Sequence, residues 1–304
     1  MDRSEVRLAA FEFLKEQTAL HGEVLPHRIL SRGFEFENRR VPLLGPQGIF
    51  KPAVLPRIPL TIRTAPIVPG KPRPYDDRID DEGTIRYRYR GTDPDHHDNV
   101  GLRLAWKHQF PLIYLYGVIR GEYLPFWPVF IVGDDPKNLC FTIRVDDAGN
   151  AFHTDLKGVA EAATEERRRY ITVVSQRRMH QQGFRRRVLN AYRESCAICR
   201  LRHQELLDAA HILPDRDPRG EPLISNGLAL CKIHHAAFDR NVLGIRPDHR
   251  VEIRTDILEE EDGPMLRHGL QDIHGEEIFT PRRPEWRPNP DYLAARYEIF
   301  RRTA

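Results

Sequence analysis

Two short metal-ligand spacings restrict this chain more than anything else in it. Two residues lie between Cys196 and Cys199 and two between Cys231 and His234, and 31 residues separate the two pairs. Knuckle-like pairs of this kind let four soft or borderline ligands converge on one tetrahedral Zn²⁺, leaving no coordination position open, which is the pattern of a structural site. Everything between residues 199 and 231 must therefore leave one point and return to it. The fourth cysteine, Cys140, stands alone in the apolar run NLCFTIRV. A disulfide framework is not expected, and Cys140 reads as a core residue in a reducing compartment.

Between and just after the two pairs come His211, Asn226 and His235, with a strand-like lead-in at DAAHI and a helix-like exit at HHAAFD. Phosphodiester hydrolysis needs a base to deprotonate water, a cation to stabilise developing charge, and a fixed geometry between them. His211 is the residue type for a base at neutral pH. His235 can hold a divalent cation. Asp239, four residues on and hence on the same helical face, is a candidate second ligand. Asn226 is placed to orient the loop or the base through hydrogen bonds.

These residues, 15 positions from His211 to Asn226 and 9 from Asn226 to His235, resemble the HNH endonuclease family over about residues 184–242. The resemblance implies a ββα-metal unit that cleaves DNA, with Mg²⁺ or Mn²⁺, or another divalent cation in substitution, beside the structural zinc. The chain departs from the family pattern at Ala210, where many members place a metal-binding Asp or His directly before the base. Asp208 is the nearest carboxylate, and on an extended strand it points to the face opposite His211. A structural zinc module without an active site is the alternative for this segment.

In the N-terminal half, Val6, Ala9, Ala10, Phe13 and Leu14 recur with helical spacing, predicting an amphipathic helix over about residues 3–20. A second short helix is expected around Pro26 to Arg32, then a strand-turn-strand at FEFENRRVPLLG with Asn38-Arg39 at the bend. From Gly48 to about Asp147 the runs IPLTIRT, TIRYRYRG, PLIYLYGVI, WPVFIVG and LCFTIRV predict a β-barrel or sandwich. Within that stretch, Tyr75, Asp77 and Tyr89 are the residue types that read an everted base, aromatic faces for stacking and a carboxylate for an exocyclic amine. On composition alone an ordinary acidic turn flanked by strand tyrosines is the stronger reading.

The order Tyr, Asp-Asp, acidic Gly-containing turn and strand ending Tyr-x-Gly, from about Pro74 to Gly91, is similar to the pocket segment of SRA domains, which flip 5-methylcytosine out of duplex DNA. The resemblance implies a pocket of Tyr75, Asp77 and Tyr89. A longer turn than the family's leaves Tyr87 competing with Tyr89, and Asp76 with Asp77.

Net charge is only +3, with 47 basic against 44 acidic residues, so charge matters by where it clusters. Arg167, Arg168, Arg169, Arg177, Arg178, Arg185, Arg186, Arg187 and Arg193 form the densest run. A solvated linker would also use such residues. Phe184, Val188, Leu189 and Tyr192 make one apolar stripe leading into Cys196, which predicts that Arg185, Arg186, Arg187 and Arg193 face outward toward DNA phosphates.

The expected fold class is α+β. An SRA/PUA-like β-barrel domain occupies residues 1–155 with a helical lead-in at 1–47, a basic linker 156–180, and a ββα-metal HNH domain with structural zinc 181–304. The pairing resembles modification-dependent restriction endonucleases, which implies cleavage of double-stranded DNA containing 5-methylcytosine or a related base, with a homodimer as a reasonable assembly. A non-cleaving reader of modified DNA and a nuclease indifferent to modification are the competing readings. The start MDRSEVRLAAFEFL lacks a signal-peptide pattern and no run of 18 apolar residues occurs, so a cytoplasmic protein without a membrane span is expected.

Overall fold

Val6, Ala10, Phe11 and Leu14 lie one helical turn apart, and they bury one face of the first helix, α1 (Ser4–His21). A computed structural model of the chain describes residues 4–66, 85–146, 175, 179–214, 217–261 and 263–303. The chain divides into two compact units, residues 1–182 and 183–304.

In the first unit α1 leads to β1 (Leu25–Pro26), α2 (His27–Arg32) and a hairpin of β2 (Phe34–Phe36) and β3 (Arg39–Val41). The hairpin turns at Glu37 and Asn38, both left-handed with φ of 48° and 60°, one residue earlier than the sequence suggests. Two consecutive positive φ values match the right-handed twist of the flanking strands. Arg7 is fully buried in α1, and its guanidinium donates to the carbonyls of Pro59 at 3.0 Å and Pro111 at 2.8 Å. These bonds tie the helix to the segments beneath it.

The five apolar runs of the sequence all contain strands. They contribute β5 (Thr61–Arg63), β6 (Ile85–Arg88), β7 (Leu112–Ile119), β8 (Glu122–Asp135) and β9 (Cys140–Val145), after a short β4 (Ile49–Phe50). The order is β4-β5-β7-β8-β9-β6, with β1 added on β8. All pairs are antiparallel except β5 with β7, which is parallel. The sheet is a curled half-barrel, with β4 and β6 at its edges among the described residues, where the sequence suggested a barrel.

In this unit the sequence pattern did not mark α3 (His97–Lys107). It buries Asp98, Asn99, Gly101, Leu102 and Ala105, a face in which one large apolar side chain stands among small and polar ones. Its Asp98 is 1% exposed and is paired with Lys51 at 2.9 Å and Arg90 at 2.5 Å. Cys140 is buried in β9, as its apolar context implies, and burial raises its thiol above the ordinary range.

In the second unit residues 183–191 are helical (α4) and are followed by the antiparallel pair β10 (Leu207–His211) and β11 (Gly227–Cys231). The unit continues with α5 (Lys232–Asp239), a hairpin of β12 (Leu243–Ile245) and β13 (Val251–Ile253), α6 (Thr255–Leu258), α7 (Pro264–Gly269) and α8 (Pro290–Arg301). Phe184, Val188, Leu189 and Tyr192 enter one core with Leu207, Leu228, Leu230, Phe238 and Leu293. Burying each large apolar side chain contributes roughly 1.5–3 kcal/mol, so this stripe anchors α4 onto the β10–β11 hairpin. Beyond this hairpin Arg250 and Glu277 form a single antiparallel bridge. No helix among the described residues is long and apolar enough to cross a membrane.

Candidate functional site

The hairpin register creates the first site. Leu207 pairs with Cys231, which puts the second knuckle at the open end of the hairpin, away from the 212–226 loop, and the amide of Ala197 donates to the Ala229 carbonyl at 2.7 Å to bring the first knuckle beside it. Cys196, Cys199, Cys231 and His234 then offer four ligand atoms all within 4.8 Å of one another. The Cys199 and Cys231 sulfurs are 3.9 Å apart, and His234 Nδ1 lies 3.5 Å from the Cys196 sulfur and 3.2 Å from that of Cys231. Sulfurs at about 2.3 Å from a tetrahedral Zn²⁺ stand about 3.8 Å apart, so the donor set fits this ion.

The electrostatics also ask for a dication. Hydrogen bonds from the Cys196 and Cys199 thiols hold Cys231 far below the ordinary thiol range, while the Cys196 and Cys231 sulfurs push Cys199 far above it. Like thiols displaced in opposite directions are sulfurs competing for one negative charge, a conflict that a bound cation removes. Burial disfavours the charged His234 imidazole, but the neighbouring sulfurs and the Gly269 carbonyl outweigh it and raise its pKa to about 10. His234 Nε2 donates to the Gly269 carbonyl at 2.8 Å, at the end of α7. This contact, invisible in the sequence, sets the ring so that Nδ1 faces the sulfurs.

His211 ends β10 opposite Gly227. Its ring stacks on Phe184 of α4, centroids 3.9 Å apart and planes 10° from parallel. Gly227 makes that approach achievable, because a Cβ there would lie 2.4 Å from Val188 and 2.9 Å from Phe184. The sequence showed Phe184 only as one of four apolar stripe residues. Its role as a platform for the imidazole depends on the helix reaching across the hairpin.

Asn226 is fully buried immediately before Gly227. Its Oδ1 accepts from the Leu213 amide at 2.9 Å, and Nδ2 donates to the carbonyls of Leu213 at 3.0 Å and Glu221 at 3.1 Å. Its own carbonyl accepts from Ile212 at 2.9 Å. The side chain clamps the chain that leaves His211 and is committed to backbone groups.

On α5, His235 stands between two carboxylates. Its Nδ1 is 3.3 Å from Asp208 Oδ2 and its Nε2 is 3.3 Å from Asp239 Oδ2. The Lys232 ammonium donates to both Asp208 oxygens at 2.7 and 2.8 Å. Burial raises the Asp208 pKa, but hydrogen bonds from Lys232 and His235 outweigh it and hold the carboxyl below its ordinary range. Two ligands at about 2.1 Å on adjacent vertices of an octahedron stand about 3.0 Å apart, so the His235 Nε2 and Asp239 pair fits a small divalent cation.

The basic residues divide. Arg185 does not face outward: it donates to the carbonyls of Gln204 at 3.0 Å and Leu207 at 2.8 Å, and burial lowers its pKa. Arg186 donates to Gln204 Oε1 at 3.0 Å and Arg187 to the Pro222 carbonyl at 3.2 Å. These three guanidinia are fastened to the loops around the hairpin, because a helix whose apolar stripe is buried also brings its flanking side chains within reach of backbone acceptors. Arg193 is exposed.

In the first unit, Tyr75, Asp77 and Asp76, and the basic residues Arg167, Arg168, Arg169, Arg177 and Arg178, lie outside the described residues. Tyr89 is 2% exposed, with its hydroxyl donated to Asp134 and its ring 4.6 Å from Phe141. It is thus a packed sheet residue and not the open stacking face expected of it, since period-two alternation turns Tyr87 and Tyr89 inward and Arg86 and Arg88 outward. Tyr87 and Tyr89 nonetheless line one side of a cleft of about 150 Å³, with Gln47, Gly48, Arg63 and Arg90 around it.

Residues 196–246 match the family described as HNH endonuclease. The HNH endonuclease domain that this segment matches implies phosphodiester hydrolase activity. Among solved structures the chain is similar to a modification-dependent TagI restriction endonuclease, with 16% identity and a TM-score of 0.28 over 79% of this chain and 81% of that one. It is also similar to the Type IV phosphorothioation-dependent restriction endonuclease ScoMcrA, with 17% identity and a TM-score of 0.23 over 62% of this chain and 54% of the other. No curated protein matches the chain significantly.

Proposed function

We propose that this HNH-bearing chain is a modification-dependent endonuclease, in which the first unit reads a modified cytosine in duplex DNA and the second hydrolyses a phosphodiester nearby. The observation that carries the hydrolytic half is the arrangement of β10, β11 and α5 around the Cys₃His cluster. It puts an imidazole at one strand end and a His235–Asp239 pair on the adjoining helix. His211, held flat against Phe184, takes the proton from the attacking water. His235 and Asp239 hold a Mg²⁺ or Mn²⁺ ion, which when bound stabilises negative charge on the phosphate and the leaving oxygen. Asn226 keeps the loop after His211 in place, and Cys196, Cys199, Cys231 and His234 hold the zinc that staples hairpin to helix.

The base-reading half is supported by the tyrosine-lined cleft on the curled sheet and by the sequence resemblance of residues 74–91, a range that includes the strand lining it. The cleft is on the scale of a single pyrimidine ring, and at its wall Arg90 donates to Gln47 and pairs with Asp98. In this reading 5-methylcytosine or a related modified cytosine is the base, residues 156–180 are a basic linker, and two copies cooperate in cutting both strands.

The test is cleavage of plasmids differing only in cytosine modification, with Mg²⁺ or Mn²⁺, beside His211→Ala. Modified DNA is expected to be cut, unmodified DNA spared, and the variant to lose activity by at least about 100-fold, the lower range for removing a general base. Equal cutting of all plasmids would leave an HNH nuclease indifferent to modification. Cutting that survives loss of His211 would remove the base assignment.

A further inference from the structure

We propose that Asp208 is a positioning residue for the catalytic centre: it accepts the Nδ1 proton of His235 and so turns Nε2, together with Asp239, toward the divalent cation. The role given to His235 rests on the nuclease reading above, whereas the contacts of Asp208 do not. Asp208 lies on β10 opposite Leu230, close to where β11 passes into α5. Its Oδ2 is 3.3 Å from His235 Nδ1. Lys232, one helical turn before His235, grips both carboxylate oxygens at 2.7 and 2.8 Å, and Arg185 Nε stands 3.9 Å from Oδ1. A carboxylate held by cations from two helices is not free to swing away from the imidazole.

An imidazole with one proton for two nitrogens keeps it on the side of the better-fixed acceptor. Both nitrogens of His235 lie 3.3 Å from a carboxylate, but Asp208 is 22% exposed and gripped by Lys232, whereas Asp239 is 59% exposed, so the proton stays on Nδ1 and the lone pair is on Nε2. Ala210 occupies the position where a strand-borne ligand would be expected. Two residues earlier the strand supplies a carboxylate that works through the imidazole, not on the ion. Sequence reasoning set Asp208 on the face opposite His211, and that face is the one α5 covers near its start.

The test uses the full chain, free of the catalytic cation and with its zinc content verified. Long-range ¹H–¹⁵N spectra read the His235 tautomer, assigned by its loss in His235→Gln, and the electron paramagnetic resonance signal of free Mn²⁺ gives affinity. The wild type is expected to show the Nδ1–H form. Asp208→Ala is expected to shift His235 toward Nε2–H and to weaken Mn²⁺ binding roughly 10- to 100-fold. Asp208→Asn, which keeps an acceptor oxygen, is expected to restore the tautomer and most of the affinity. An alanine variant with an unchanged tautomer and Mn²⁺ affinity within about twofold of wild type would overturn the assignment. So would a loss as large as that of His235→Ala, which would make Asp208 a direct ligand. Neither readout involves DNA. A wild type that shows both signatures yet cuts no DNA supports the role of Asp208 while refuting the nuclease reading.

Discussion

Asn226 shows how much one buried amide can decide. Its side chain makes three hydrogen bonds, all to main-chain groups of residues 213 and 221, in a site with no solvent exposure. Replacing it by alanine strands the Leu213 amide and two carbonyls, and each unsatisfied buried group costs about 1–3 kcal/mol. Asn226→Ala is accordingly expected to melt several degrees lower and to cut DNA more slowly, with a larger fall in kcat than rise in KM, because the groups it releases lie beside His211. Melting curves and steady-state kinetics decide this. An unchanged kcat at full zinc content would mean that the clamp serves stability alone. The same residue marks a limit of reading from sequence. An Asn-Gly pair before an apolar run is visible in the chain, but the identity of its hydrogen-bond partners is not, since these lie 5 and 13 residues away and meet it only after the loop closes.

At the level of elements, α5 has eight residues, too few to be stable as an isolated helix, and it is held by what flanks it. Phe238 and Ala237 bury one side, and Cys231 and His234 tie its first turn to the knuckle at Cys196. Zinc binding to such a site contributes on the order of 10 kcal/mol to folding, more than most domains have in reserve. Removing the ion with a strong chelator, or changing Cys199 to Ser, is expected to abolish cleavage and broaden or lower the thermal transition, with recovery on adding Zn²⁺ to the wild type. Melting unaffected by chelation, together with no zinc in the purified protein, would refute the structural role of the cluster. The helix α1 and the principal strands were readable because their apolar positions repeat along them. Elements α3, α6 and α7 were not, being short or lined by polar and small residues.

For the molecule as a whole, charge is nearly balanced, so binding to DNA must come from local clusters and not from overall attraction. Three arginines expected to serve phosphates are instead fastened to carbonyls and side chains of the second unit, whereas Arg193 is exposed. Neutralising one phosphate contact lowers the slope of log affinity against log salt by about 0.9. Arg193→Ala is expected to reduce the slope by about that amount, measured by fluorescence anisotropy across salt concentrations. An unchanged slope would exclude Arg193 from the DNA-binding surface. The metal ligands and the order of the His, Asn and His residues were determined by the linear chain, because ligand chemistry and spacing are properties of neighbours in sequence. The partners of His235, the stacking of Phe184 on His211, the inward turn of Tyr89 and the fate of the arginines were decided only by the folded state. Each depends on which face of a strand or helix meets another element, and that is set by register and packing over distances that no local pattern records.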